Sequence, residues 1–268
     1  MTTLKKLLPK LYMGLLLLFL YAPIFVVILF SFNTTKSRTV FEGFTLQWYA
    51  ELFHDDLIMQ SFQNSLVLAL CSSVLATVIG VAAALYIAKM KRFGRSVVMN
   101  LTYLPIVNSE VVTGVSLMLL FVFIVNIIGG NLGFITVLIA HTTFNLPYVI
   151  LNILPKLRQT DPHLLDAALD LGCTQTRAFF KVILPQIMPA ILSAFIMAFS
   201  LSFDDFAISY FTTGSSFQTL PVTIYSMTRK RITPKINALF TIIFLLVLLT
   251  LIIINLKDHR STKKGGRL

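Results

Sequence analysis

Three carboxylates stand where the neighbouring residues are otherwise fit for hydrocarbon: Glu110 in "TYLPIVNSEVVTGV", and Asp204 and Asp205 side by side in "SLSFDDFAISYF". An ionised carboxylate at the middle of a bilayer costs about 2.5–3.5 kcal/mol on insertion scales, so such residues face a partner, water or a cation path. No Lys or Arg lies inside the same apolar runs to neutralise them, and positive charge must come from elsewhere. Successive residues of a helix are about 100° apart, so Asp204 and Asp205 point different ways. Ser202, Asp205, Ser209 and Thr212 recur at helical steps and form a polar stripe, whereas Asp204 shares its face with Ser200 and Ile208. The expectation is that Asp205 and Ser209 line a path and that Asp204 also reaches it or meets a neighbouring helix or subunit. Tyr103, Phe206 and Tyr210 supply ring faces nearby in sequence. His141, in "AHTTFN", reads as a hydrogen-bonded histidine of the bundle and receives no part in this chemistry.

The elements that must hold these acids follow from composition. The chain has 268 residues, 56% of them hydrophobic and 12% charged, with a mean hydropathy of +0.84, far from the roughly 25% charged of ordinary soluble domains. The expected fold is all-α, one polytopic membrane helix bundle. Apolar runs place six crossings at about 11–32, 63–88, 97–126, 134–154, 184–212 and 237–256. The net charge of +11 comes from short clusters between the runs, where orientation during insertion explains it and nucleic-acid binding is not expected. Lys5, Lys6 and Lys10, then Lys89, Lys91, Arg92 and Arg95, then the basic tail 257–268 all fall on one side. That side is expected to be cytoplasmic, with both termini there. The stretch "TRKRITPKIN" dissents, placing Arg229, Lys230, Arg231 and Lys235 outside.

The outer loop 33–62 carries Phe44, Trp48, Leu52 and Phe53 at helical spacing, which suits a short interfacial helix, an aromatic anchor or a docking surface. Pro105 interrupts the third crossing, and Asn108 or Ser109 is placed to cap a second half-helix before Glu110. Counting at 1.5 Å per residue puts Asp205 about 30 Å beyond Pro185 and Glu110 about 20 Å into its crossing, at successive levels. The two cysteines, Cys71 and Cys173, occupy dissimilar surroundings and are not expected to pair. No metal-ligand spacing, cofactor motif or GxxxxGK[ST] phosphate loop occurs. Any use of ATP therefore needs a separate subunit.

Between crossings four and five lies "QTDPHLLDAALDLGCTQTRAFFKVILPQIMP". Thr160 or Asp161 is placed to cap a helix with Pro162 just inside it, and Gly172 to end it. A second short helix is expected through Arg177 to Val182. By periodicity alone this is a surface elbow, the loop running over about 160–183.

The same stretch resembles the EAA motif of ABC importer permeases: Glu-Ala-Ala, three residues, Gly, nine residues, Ile, one residue, Leu-Pro. Asp166, Ala167, Ala168, Gly172, Leu184 and Pro185 fall on that spacing, with Asp166 in place of Glu and Val182 in place of Ile. "AHTTFNLPYVI", "SLSFDDFAISYFTTG", "LPVTIYSM" and "ITPKINAL" extend the resemblance over about 40–255 to the second permease subunit of spermidine/putrescine importers. The resemblance implies a type I ABC importer permease fold with a cytoplasmic coupling helix, in which Asp166, Ala167, Ala168, Gly172, Leu184 and Pro185 serve contact with the ATPase. It further implies two ATP-binding subunits, a second homologous permease, an extracytoplasmic polyamine-binding protein and residence in the bacterial inner membrane. A polyamine would supply the ammonium groups that Glu110, Asp204 and Asp205 lack. The alternatives are an importer for another solute, a metal cation or an oxyanion, and an ion-coupled carrier without an ATPase. An enzyme is not expected, because no nucleophile–base pair or metal constellation is recognisable.

Overall fold

The computed structural model describes residues 2–37, 40–161, 163–230, 233–245 and 248–249. Nearly all are helical; among them extended pairing is limited to a bridge between Asn33 and Phe44. Five described stretches are long and apolar enough to cross a membrane: Pro9–Phe30, Asp56–Lys89, Glu110–Ile128, Phe134–Gln159 and Gln175–Phe203. The sixth crossing expected at 237–256 is described as an apolar helix over Pro234–Leu245. Its continuation past 249, the basic tail, Pro162 and Arg231 lie outside the described residues.

The chain divides into two compact units, residues 1–59 with 224–268, and residues 60–223. In the first, α1 (Thr2–Phe30) presents its whole apolar span outward, with none of it buried, as suits a helix solvated by lipid. The loop after it is built around Asn33, whose amide nitrogen donates to the Val40 carbonyl at 2.8 Å and whose Oδ1 accepts from the Glu42 N–H at 3.0 Å. The short α2 (Gln47–Phe53) buries Trp48 and Leu52, and the Trp48 indole donates to the Asn33 carbonyl at 2.6 Å. Phe44 lies outside that helix and stacks on Phe32 with centroids 4.9 Å apart. The four residues expected to share one interfacial face are therefore divided: two point inward, while Phe44 and Phe53 stay exposed. Lys235, on α11 (Pro234–Leu245), donates to Asp55 Oδ2 at 2.8 Å. The basic stretch is thus tied to the short connection between α2 and α3.

In the second unit, α3 (Asp56–Lys89, all but its first turn), α6 (Phe134–Gln159) and α9 (Leu184–Phe203) share a core of Ala76, Ala84, Val149, Ile153, Ala194 and Ala198. Ala76, Gly80 and Ala84 recur every four residues, and a side chain at Gly80 would run into Val149. Small residues at that spacing let helix backbones approach where lipid offers no hydrophobic drive to associate.

The third crossing departs from the expected 97–126. It separates into α4 (Arg92–Val107), which has no buried residue, and α5 (Glu110–Ile128). Asn108 and Ser109 between them are extended. The 19 residues of α5 span about 28 Å at 1.5 Å per residue and so nearly suffice for a bilayer core by themselves. Ser109 takes the cap position without its side chain making the capping bond.

The fifth crossing also shifts. α8 (Gln175–Ala178) runs through a π turn, Phe179–Ile183, directly into α9, so helix begins nine residues before the expected 184. The Leu184 N–H reaches back five residues to the Phe179 carbonyl. This wider turn accommodates Pro185, which has no N–H and whose ring would crowd the Lys181 carbonyl in a plain α-helix. At the far end α9 stops at Phe203, and α10 (Ala207–Thr212) restarts after a break at 204–206.

Candidate functional site

The break at 204–206 separates the roles of the two aspartates. Asp205 is buried, and its oxygens accept backbone N–H groups of Ile208, at 3.3 Å, and Ser209, at 2.8 Å. It thereby satisfies the free amides at the start of α10. His141, 1% exposed on α6, faces the same carboxylate with Nε2 at 3.4 Å from Oδ2. The ring is held on both edges: Nδ1 is 2.6 Å from the Ser202 hydroxyl and Nε2 is 3.0 Å from that of Ser209. Ser202 in turn meets Ser72 of α3 at 2.8 Å. The stripe of Ser202, Asp205, Ser209 and Thr212 is thus wholly enclosed. Its contacts tie α3, α6, α9 and α10 together, so Asp205 and Ser209 are enclosed within this chain where the sequence reading has them line a path. Asp204, the C-cap of α9, is the exposed member of the pair.

Glu110 is exposed in the first turn of α5, where unpaired N–H groups and the helix dipole favour a carboxylate. Counting from residue 97 places it past the middle of a crossing; in the structure it stands at the start of Glu110–Ile128, a stretch itself long and apolar enough to cross a membrane. α5 and α10 touch closely at Gly114, where an added Cβ would lie 3.0 Å from Phe211 Cδ2 and 3.3 Å from Ile208 Cα. Leu132, beyond α5, meets Gly214, beyond α10, so the two helices run in the same direction. Glu110 precedes Gly114 by one helical turn, and Asp204 precedes Ile208 by four residues across the break. The two exposed acids therefore belong to the same end of the α5–α10 pair, not to successive levels.

Of the expected ring faces, Phe206 and Tyr210 lie together with centroids 5.4 Å apart, and Tyr210 is 44% exposed. Tyr103 is exposed on α4, and no described contact joins it to the break. His141 is the residue that sequence reasoning passed over. It is the one histidine within the six apolar runs, in a run with no Lys or Arg, which is the signal that it would meet an intramembrane acid.

The second candidate region is the elbow. α7 (His163–Asp170) starts where Asp161 Oδ1 accepts the His163 N–H at 2.9 Å. It ends at Gly172, whose φ of +82° lies in the left-handed region that favours glycine. The N–H groups of Gly172 and Cys173 close the last turn on the carbonyls of Leu169 and Ala168. Asp166, Ala167 and Leu171 are exposed, whereas Ala168 packs inward. Leu184 is half-buried and Pro185 exposed in the helix that follows. A short helix with a small, open face is thus held apart from the spans by a glycine turn and a π turn.

Among the described residues, a helical bundle with an exposed elbow and an acid-bearing break in a crossing is the architecture of a membrane transport component. The chain belongs to the family described as binding-protein-dependent transport system inner membrane component, whose model matches residues 76–262. It is 40% identical over 228 residues to the putrescine transport system permease protein PotI of Escherichia coli strain K12, covering 84% of this chain and 81% of that one. It is 35% identical over 245 residues to the spermidine/putrescine transport system permease protein PotC of the same strain, covering 91% of each. In fold it is similar to a bacterial ABC transporter involved in import of the acidic polysaccharide alginate, with a TM-score of 0.69 over 96% of both chains at 13% identity. Members of such a system work with a binding protein, a second permease and an ATPase in the inner membrane.

Proposed function

We propose that this chain is the permease subunit through which an ATP-driven importer passes polyamines, putrescine or spermidine, into the cell. The observation that carries the reading is the break at 204–206. Asp204 is exposed there beside the Phe206–Tyr210 ring pair, while Asp205 is consumed in holding the break. Asp204 and Glu110 at one end of the α5–α10 pair offer ammonium groups two anionic partners, and the rings offer cation–π contact. The names of the relatives at 35–40% identity point to the same solutes. Selectivity can reside in the polyamine-binding protein, so binding here need only be weak. Two ATP-binding subunits engage the importer, one of them at the elbow through Asp166, Ala167, Ala168 and Gly172. Leu184 and Pro185 carry the movement into α9. Both termini and the elbow face the cytoplasm, and a second, homologous permease completes the pathway.

The test is uptake of labelled putrescine and spermidine into cells stripped of their own polyamine importers and supplied with the whole system. Uptake that requires this chain supports the reading. An assembled complex that hydrolyses ATP but takes up neither compound overturns the polyamine assignment and leaves the permease class standing.

A further inference from the structure

Beneath the elbow, the ends of α3 and α6 and the start of the α8–α9 helix enclose a pocket of about 680 Å³, within the roughly 300–1,000 Å³ range of ligand sites. Its floor is apolar: Leu85, Ala88, Leu157, Phe179 and Ile183. Its rim carries two cations, Lys89 from the last turn of α3 and Arg158 from the last turn of α6. Among the described residues neither has a carboxylate within ion-pair distance. The one acid on the rim, Asp161, already spends an oxygen on the His163 N–H.

We propose that this pocket binds an anionic phospholipid drawn from the adjacent leaflet. Lys89 and Arg158 close spans that leave the bilayer here, so the rim lies at headgroup depth, where basic pockets between helices take phosphate headgroups. The phosphate sits between the two cations, with Arg158 able to engage two of its oxygens at once. The first methylenes of an acyl chain cover Leu85, Leu157 and Ile183, a surface that a free inorganic anion would leave wet. Leu165 of α7 and Thr176 of α8 also line the pocket, so the lipid bridges the span ends and the elbow and steadies the elbow against them. The inference rests on the membrane reading of the fold and not on the transported solute.

The experiment uses the complete complex, reconstituted in bilayers of equal phosphatidylglycerol and phosphatidylcholine, re-extracted in mild detergent and assayed for retained lipid by mass spectrometry. The parent is expected to retain phosphatidylglycerol about tenfold over phosphatidylcholine. The double variant Lys89→Gln/Arg158→Gln is expected to lose that preference. Ala88→Phe, which fills the floor and keeps both cations, is expected to lose it as well, and it decides the matter if the double variant does not assemble. Equal retention of the two lipids by the parent overturns the proposal, as does an unchanged preference in the assembled variants. Displacement of the retained lipid by glycerol 3-phosphate would make the site one for a soluble anion and overturn it too. So would loss of the ATPase subunit from the double variant at unchanged lipid retention, because the rim would then belong to a protein contact. Each readout is lipid retention or subunit stoichiometry, so a failure of polyamine uptake leaves it unaffected.

Discussion

His141 Nε2 lies 3.4 Å from Asp205 Oδ2, with the two side chains 2% and 3% exposed. Removing one member of a buried pair strands the other without its partner, at a cost of about 3–5 kcal/mol. His141→Ala leaves the Asp205 carboxylate to two backbone amides alone and empties a site fixed by Ser202 and Ser209. Asp205→Asn keeps an acceptor for those amides and gives up the charge. The His141→Ala complex should therefore melt well below the Asp205→Asn complex, and His141→Gln combined with Asp205→Asn should regain part of the loss. Thermal unfolding of the purified complexes measures this, and equal melting points across the set would mean that the pair does not hold the break at 204–206.

The two aspartates should separate in function as they do in position. Asp204→Asn is expected to leave membrane levels near those of the parent and to lower polyamine uptake tenfold or more, because it removes the exposed charge and no packing. Asp205→Asn should lower the amount of assembled protein, with uptake per assembled complex falling much less. Uptake normalised to membrane level in both variants checks this. The opposite pattern would return the path to Asp205.

The composition was enough to read the bundle, and the spacing of Asp166 to Pro185 was enough to read the elbow, because both are local properties of the chain. The acids were legible as residues in need of partners but not in their directions. A continuous helix over 184–212 puts Ser202, Asp205, Ser209 and Thr212 on one face; the break at 204–206 instead makes Asp205 the cap of α10, and no glycine or proline in "SFDDFA" announces it. The level of Glu110 depends in the same way on where its helix begins. Counting from residue 97 treats α4 as part of the crossing, although α5 alone nearly spans the core. His141 lies 61 residues from Ser202 and 68 from Ser209, a relationship that only packing creates.

Gly114 marks where α5 and α10 come closest. A Cβ there would lie 3.0 Å from Phe211 Cδ2, 3.2 Å from the Ala207 carbonyl oxygen and 3.3 Å from Ile208 Cα. Two of those three atoms are backbone and cannot swing aside. Gly114→Ala should destabilise the complex by about 1–3 kcal/mol, as overpacking does, and Gly114→Leu should block assembly. Melting of the alanine variant measures the cost, and an unchanged melting point would mean that the helices separate freely at this level.

Asp55 and Lys235 join α2's end to α11 at 2.8 Å. Partial burial pushes the Asp55 carboxyl upward, but the Lys235 ammonium and the amides of Ile58 and Leu57 outweigh it and hold the group below its ordinary value of 3.8. A carboxyl lowered on folding stabilises the fold above its unfolded value and loses that contribution as pH falls through the folded one. The stabilisation should thus be constant from pH 7 to about 5 and fade below about 4. The difference in melting temperature between the parent and Asp55→Asn, followed over that range, should close in acid. High salt at pH 7 should narrow it as well, since both groups retain some contact with solvent. A difference that does not change with pH would show that Asp55 acts only as a neutral hydrogen-bond acceptor.

Gly172 ends α7 with a φ of +82° and with nothing within 4 Å of where a Cβ would stand. Space is not what demands glycine there; conformation is. A left-handed backbone costs an ordinary L-residue about 1–2 kcal/mol, less for asparagine, whose short polar side chain bonds locally. The strain falls on the turn that closes Gly172 and Cys173 onto the carbonyls of Leu169 and Ala168, far from the core of α3, α6 and α9. Gly172→Ala should leave the melting of the complex nearly unchanged and weaken the stimulation of ATP hydrolysis by the loaded binding protein. Gly172→Val should weaken it further, and Gly172→Asn should restore most of it. The order glycine, asparagine, alanine, valine in coupled hydrolysis follows from backbone conformation alone. If it were replaced by an order following side-chain volume, the elbow would instead be meeting its ATPase at Gly172 itself.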